Sequence, residues 1–225
     1  MLVKNWMNKK IITIDERSSI ADAISLLSDH GCTMLVVTRD RKQVGIVTDR
    51  HIKKVTPSES TTMDSFGFHD IVSKITVEAV MSKNPVTVPM DFTIEETALI
   101  FLREGISSVA VVDEHGRIVG EITQMEVFKV LISLTGIGKR GIQFAFLVED
   151  RLGVVRDLTD TIRKYGGRMM STLTSDNQAG QGQRKVYIRM NTIDRKKLDQ
   201  LIEELKKQTT ILYMIDHREG RRVIF

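Results

Sequence analysis

Gly45-Ile46-Val47-Thr48-Asp49-Arg50-His51 and Gly120-Glu121-Ile122-Thr123-Gln124-Met125-Glu126 are two copies of one pattern, and they lie inside a longer duplication. Residues Val3 to Val55 recur, with drift, as Val77 to Val130. Setting Met7 against Met81 also aligns Lys9 with Lys83, Thr13 with Thr87, Ile20 with Ile94, Gly31 with Gly105 and Val37 with Val111. One extra residue near His115 then shifts the frame, after which Val44 aligns with Val119, Thr48 with Thr123 and Lys54 with Lys129. A unit that occurs only twice is not a solenoid, which needs three or more; it predicts two similar halves facing each other. Paired halves create clefts, so binding is expected ahead of chemistry.

Working outward, each copy reads β-α-β-β-α. A short extended piece (Ile11 to Ile14; Pro85 to Val88) precedes an amphipathic helix capped by Ser19 or Thr93 and stopped by Gly31 or Gly105. Two strands follow, Met34 to Thr38 with Val44 to Val47, and Ser108 to Val112 with Ile118 to Ile122. A second helix starts at Thr48 or Thr123. Between the copies, Pro57-Ser58-Glu59-Ser60-Thr61-Thr62 breaks structure, and Thr61 with Asp64 resembles a capping box for a helix running through Ile75. Three glycines in Gly136-Ile137-Gly138-Lys139-Arg140-Gly141 mark a hinge. Beyond it the pattern becomes strand (Ile142 to Val148), helix (Val154 to Tyr165), strand (Arg168 to Ser175), strand (Lys185 to Met190), helix (Arg195 to Lys207), strand (Ile211 to Asp216). That is the ferredoxin-like β-α-β-β-α-β order. The expected organisation is residues 1–55, a connector 56–76, residues 77–135, a hinge 136–141, a third domain 142–217 and a tail 218–225 whose pairing the sequence leaves open.

Hydrophobic residues make up 41% and charged residues 28% of the 225, the balance of a soluble globular protein. No apolar run approaches the ~18 residues of a spanning helix, and the polar N-terminus does not read as a signal peptide. Cys32 is the only cysteine, which excludes an intrachain disulfide and a cysteine zinc cluster and makes a reducing cytoplasm the expected location. Residues 1–140 carry 17 Lys and Arg against 18 Asp and Glu, and residues 141–225 carry 16 against 11. The basic residues are scattered and accompanied by few aromatics, so they read as solvated surface rather than a nucleic-acid face.

The strand-to-helix motif is where chemistry concentrates. A helix N-terminus suits a phosphate. Thr48 or Thr123 can donate a hydroxyl, and a carboxylate three residues on could accept both hydroxyls of a ribose. Thr-x-x-Glu is equally a capping box, in which Thr123 and Glu126 only satisfy the helix end. The residues alone leave both readings open. The five histidines have no metal-ligand spacing, and no Walker loop, Gly-x-Ser-x-Gly or His-Glu-x-x-His is present.

The doubled unit, with its Gly-h-h-Thr-x-x-acid ending, resembles a tandem pair of CBS domains over about Val3 to Leu134. The resemblance implies a regulatory module that binds AMP, ADP, ATP or S-adenosylmethionine between the units. It implies contacts from the first strand (Ile12, Thr13, Val86, Thr87), the second strand (Leu35, Val109) and the motif (Thr48, Arg50, His51, Thr123, Glu126). The sequence departs from the family at the ribose position, where the usual Asp is His51 in one copy and Glu126 in the other. Glu126 can still accept two hydroxyls, whereas neutral His51 has one acceptor nitrogen. The expectation is adenosine binding at Thr123/Glu126, with the Thr48/His51 site phosphate-only or empty. The C-terminal segment resembles an ACT domain over about Ile142 to Asp216, which implies an amino-acid site at Asp150, Leu152, Gly153, Val154 and Met169. Leu152 stands where that family has Pro, and Arg168-Met169 where it has Asn-Ile. CBS pair, connector 57–62 and ACT domain in this order are similar to bacterial acetoin-utilisation (AcuB-type) proteins.

The reading is therefore an α/β (α+β) chain, a CBS pair of two β-α-β-β-α units followed by a ferredoxin-like ACT domain. Its expected role is a non-catalytic regulator that takes a small-molecule ligand, has no catalytic cofactor or metal, and self-associates into a homodimer or higher homo-oligomer through faces such as Val127, Val130, Leu131 and Leu134. The alternatives are a ligand-free interaction scaffold and a nucleic-acid-binding regulator.

Overall fold

A computed structural model of the protein describes residues 1–55 and 72–225. The Pro57 to Thr62 segment and the expected Thr61/Asp64 cap lie outside the described residues. The chain divides into two compact units, Met1–Phe128 and Lys129–Phe225.

The first unit holds both copies up to Phe128, within the last helix of the second. In the first, β1 (Thr13–Asp15) pairs parallel with β2 (Met34–Arg39), and β2 pairs antiparallel with β3 (Lys42–Thr48). Helix α1 (Ile20–His30) connects β1 to β2, and α2 (Asp49–Lys53) follows β3. In the second, β4 (Thr87–Pro89), β5 (Ser108–Val112) and β6 (Ile118–Thr123) repeat this sheet, with α4 (Ile94–Glu104) after β4 and α5 (Gln124–Thr135) after β6; a short α3 (Val77–Val80) precedes them. Local chemistry sets the helix limits. Ser19 with Asp22, and Thr93 with Glu96, form reciprocal capping boxes, and Gly31 and Gly105 close α1 and α4 in the left-handed conformation. The first strands begin two residues later than the apolar pattern suggested.

The frame shift near His115 is a difference of turn. Asp40 and Arg41 form a two-residue loop with both φ positive, at 50° and 65°, the geometry of a type I′ hairpin. The second hairpin turns over 113–117, where the Asp113 carboxylate accepts from the N–H groups of His115 and Arg117, each at 2.9 Å.

The halves interlock backbone to backbone. Ile46 and Ser82 exchange hydrogen bonds of 3.0 and 2.9 Å, and Asn8 and Glu121 exchange bonds of 2.9 and 3.0 Å. Each third strand thus pairs with the lead-in segment of the other copy. A Cβ on Gly45 would lie 2.4 Å from the Ser82 carbonyl oxygen, and one on Gly120 would lie 2.5 Å from that of Asn8. The glycine that opens each motif is there to admit a crossing backbone. Met34, Val36, Ile46, Ala110 and Ile118 bury the seam between the sheets, at about 1.5–3 kcal/mol for each large side chain fully removed from water.

In the second unit, β7 (Ile142–Glu149), α6 (Val154–Lys164), β8 (Arg168–Ser175), β9 (Gln183–Thr192), α7 (Leu198–Gln208), β10 (Thr210–Asp216) and β11 (Arg221–Ile224) follow in sequence. They build one antiparallel sheet in the order β11-β10-β7-β9-β8. Phe144, Phe146 and Val148 of β7 pack with Leu158 and Ile162 of α6 and Leu201 and Leu205 of α7 in the core. The tail is an edge strand. Its turn is held by buried Asp216, whose carboxylate pairs with Arg195 and accepts from the N–H of Arg218 at 2.9 Å and of Glu219 at 3.3 Å. Residues 136–141 contain a 3-10 turn, Ile137–Lys139, after Gly136 at φ 65°.

Candidate ligand site

Where β3 runs into α2, Thr48, Asp49, Arg50, His51 and Lys54 form one wall of a cavity of about 730 Å³. The second copy supplies the rest: Asn84, Pro85 and Val86 before β4, Phe101 and Leu102 from the end of α4, Gly105 to Ser108 leading into β5, and Gln124. Thr33, Ile46 and Ser82 complete it. Both copies therefore contribute to one partly polar, partly apolar space, because β4 and the turn into β5 lie across from the first copy's strand-to-helix junction.

The junction has unused polar capacity. Thr48 caps α2 by backbone conformation alone and makes no side-chain cap bond. Nδ1 of His51 is buried and without a partner among the described residues. Burial lowers the imidazole pKa, and the nearby positive charges of Lys54 and Arg50 lower it further, so the ring is neutral at pH 7. Arg50 donates to the Gly105 carbonyl at 2.9 Å, which closes α4 and leaves most of its guanidinium donors for the cavity. Asp49 is offset by Lys53 at 2.6 Å. Helix α2 is only five residues long, so the side chains rather than a helix dipole set the charge here.

The corresponding junction of the second copy is arranged differently. The Glu126 carboxylate accepts from the Thr123 N–H at 3.1 Å and from the Thr123 hydroxyl, and that hydroxyl oxygen accepts from the Met125 N–H. Thr123 and Glu126 bond to each other as a helix cap, with the Thr123 hydroxyl accepting from Met125 and not from the Glu126 N–H of a full capping box. Glu121, at the place of Ile46, is 5% exposed and accepts from the Thr33 hydroxyl at 3.2 Å and the Asn8 amide at 3.5 Å. Burial raises its pKa, the two hydrogen bonds oppose the rise, and the charge of Glu126 adds to it. Glu121 was not among the residues the sequence pattern singled out. The available signal was a carboxylate within a strand where the other copy has isoleucine.

Of the residues expected to touch a ligand, Thr48, Arg50, His51 and Val86 share the cavity. Thr87 faces a separate groove with Lys83 and Arg117. The side chains of Leu35 and Val109 are buried in the core, so only their backbone could meet a ligand. Thr13 sits on β1, and Ile12 packs against the first copy's core. Cys32, beside this region, is held protonated: burial raises its pKa and the Glu121 charge adds to the effect. In the second unit, Asp150, Leu152, Gly153 and Val154 line a smaller hollow of about 330 Å³ with Arg184. Gly153 adopts φ 86°, which requires glycine there. Asp150 is paired with Arg184 at 2.9 Å, Leu152 is 99% exposed, and Met169 packs on the core instead of lining the hollow. Among the described residues no helix is long and apolar enough to cross a membrane.

Comparison with known proteins gives matches to this doubled part. The CBS domain family matches residues 3–57 and 77–133. An uncharacterised protein of Methanocaldococcus jannaschii is 32% identical over 139 residues, 59% of this chain and 45% of that protein. An inosine-5'-monophosphate dehydrogenase of Korarchaeum cryptofilum is 29% identical over 125 residues, 56% of this chain and 23% of the enzyme. The chain thus spans less than half the length of these relatives. A crystal structure of a CBS domain pair in complex with 5'-methylthioadenosine and S-adenosyl-L-methionine is 28% identical, with a TM-score of 0.47, covering 58% of this chain and 95% of that one.

Proposed function

From the premise that the chain carries a tandem pair of CBS domains, we propose that it is a non-catalytic regulator that binds an adenosine derivative between the two copies. The observation that carries this reading is the cavity built jointly by Thr48–Lys54 and Asn84–Ser108. Its volume of about 730 Å³ lies within the ~300–1,000 Å³ of small-molecule sites. Val86, Phe101 and Ile106 offer an apolar slot for a purine, and Ser107 and Ser108 offer hydroxyls for a ribose. A ligand in contact with both copies favours the arrangement that fits it, by as much as its affinities for the alternatives differ. The Thr48/His51 end, which the sequence led one to expect phosphate-only or empty, is the primary site on this reading because the cavity lies there. The Thr123/Glu126 end is the second candidate, where Glu126 would exchange its bonds to Thr123 for ribose hydroxyls.

The second unit, on this reading, is a ferredoxin-like ACT domain that takes part in assembly. An amino acid at Asp150–Val154 would have to displace Arg184 from Asp150. A thermal-shift series with adenosine, 5'-methylthioadenosine, AMP, ADP, ATP, S-adenosylmethionine and the amino acids tests both parts. A ligand at ~100 times its Kd adds about 2.7 kcal/mol to the stability of the folded state and raises the midpoint accordingly. Silence from every adenosine compound would overturn the sensor reading in favour of a ligand-free scaffold.

A further inference from the structure

The walls of the cavity carry a charge that the adenosine reading does not require. Arg50 and Lys54 are its cationic side chains, and the lining carboxylate, Asp49, already has a counter-charge in Lys53 at 2.6 Å. Lys54 has no hydrogen bond or ion pair among the described residues, and Arg50 uses one N–H, on the Gly105 carbonyl. Beside them stand the Thr48 hydroxyl and the buried Nδ1 of His51, both without a partner among the described residues. A neutral imidazole can present either ring nitrogen as the donor, so it serves a phosphate oxygen without adding a charge. The related position in the other copy has the opposite sign, with Glu121 buried where the first copy has Ile46 and Glu126 where it has His51.

We infer that this cavity selects the phosphorylated form of its ligand, a nucleoside mono- or diphosphate, over an uncharged nucleoside or a sulfonium. Arg50 and Lys54 meet the phosphate, and Thr48 and His51 hydrogen-bond its oxygens. The cationic sulfonium and ammonium of S-adenosylmethionine would face two positive side chains and, among the described residues, no unpaired carboxylate. The inference rests on the adenosine reading of the same cavity, and the test separates the two.

Isothermal titration of the full chain with AMP, adenosine, 5'-methylthioadenosine, S-adenosylmethionine and pyrophosphate, at low and high NaCl, measures the phosphate contribution directly. AMP is expected to bind ~10-fold or more tighter than adenosine and 5'-methylthioadenosine, with an advantage that shrinks as salt screens the exposed cations. Arg50→Ala with Lys54→Ala should remove most of that advantage, the circular-dichroism spectrum and melting midpoint of the variant showing that it is folded. Equal affinities for AMP and adenosine, or an advantage that survives both substitutions, would overturn the phosphate inference and leave the adenosine reading standing. Binding of pyrophosphate with no response to any adenosine compound would overturn the adenosine reading and keep the charge assignment. Silence from all five would overturn both.

Discussion

At the scale of single residues, the two copies differ most where a ligand would be held. Thr48 makes no side-chain cap bond above His51, whereas Thr123 bonds Glu126. Ile46 is apolar, and Glu121 is a buried carboxylate held by Thr33 and Asn8. Burial raises the Glu121 pKa in the folded state. A group with a raised folded pKa contributes stability that is fully present below its unfolded pKa and is lost as pH rises through the folded value. Glu121→Gln keeps an acceptor for Thr33 and removes the charge. It should therefore raise the melting midpoint at pH 8, and the gain should fall away towards pH 4. A difference from the parent that stays constant across that range would show that Glu121 does not titrate from a buried, disfavoured charge. The pattern of carboxylate and histidine was readable in the sequence. Which of them stood free was not, because that depends on a hydroxyl three residues away choosing between a cap and a cleft.

At the scale of elements, the helix limits were the most legible part. Ser19, Asp22 and Gly31, like Thr93, Glu96 and Gly105, act on neighbours within a turn or a helix length, so their chemistry is written locally. The motif glycines were legible as a signature and not as a cause. Their reason is a backbone from the other copy, Ser82 against Gly45 and Asn8 against Gly120. Gly45→Ala or Gly120→Ala forces the crossing segment away and should cost about 1–3 kcal/mol in urea unfolding, the usual range for overpacking, with the loss of bridge hydrogen bonds in addition. Gly138→Ala, which meets nothing within 4 Å and sits at an ordinary φ, is the control expected to change little. If the two motif glycines behave like Gly138, the interlock does not hold the halves. The tail strand β11 was also left open by the sequence, since its pairing with β10 is fixed by the turn that buried Asp216 organises.

At the scale of the whole molecule, helix α5 carries Met125, Phe128, Leu131 and Ile132 at 53–59% exposure, while Val130 is buried. We propose that this exposed apolar stripe meets a second copy of the chain. Phe128→Glu with Leu131→Glu should lower the mass measured by light scattering to that of the monomer and leave the folded signal intact. An unchanged mass would remove α5 from the interface. Of the aliphatic face expected from the sequence, Val130 proves to belong to the core and Leu131 to the surface, a division that periodicity cannot make because both lie on adjacent positions of one helix.

The sequence by itself determined that the chain contains one unit twice, where its helices begin and end, and that the copies disagree at His51 and Glu126. These are short-range properties, set by caps, glycines and periodicity. Only the tertiary structure decided that each copy lends its lead-in segment to the other, that Glu121 is buried between Thr33 and Asn8, and that the roomy, cationic cavity lies at the His51 end. Those outcomes depend on which distant backbones and charges come together, and no single stretch of sequence encodes that meeting.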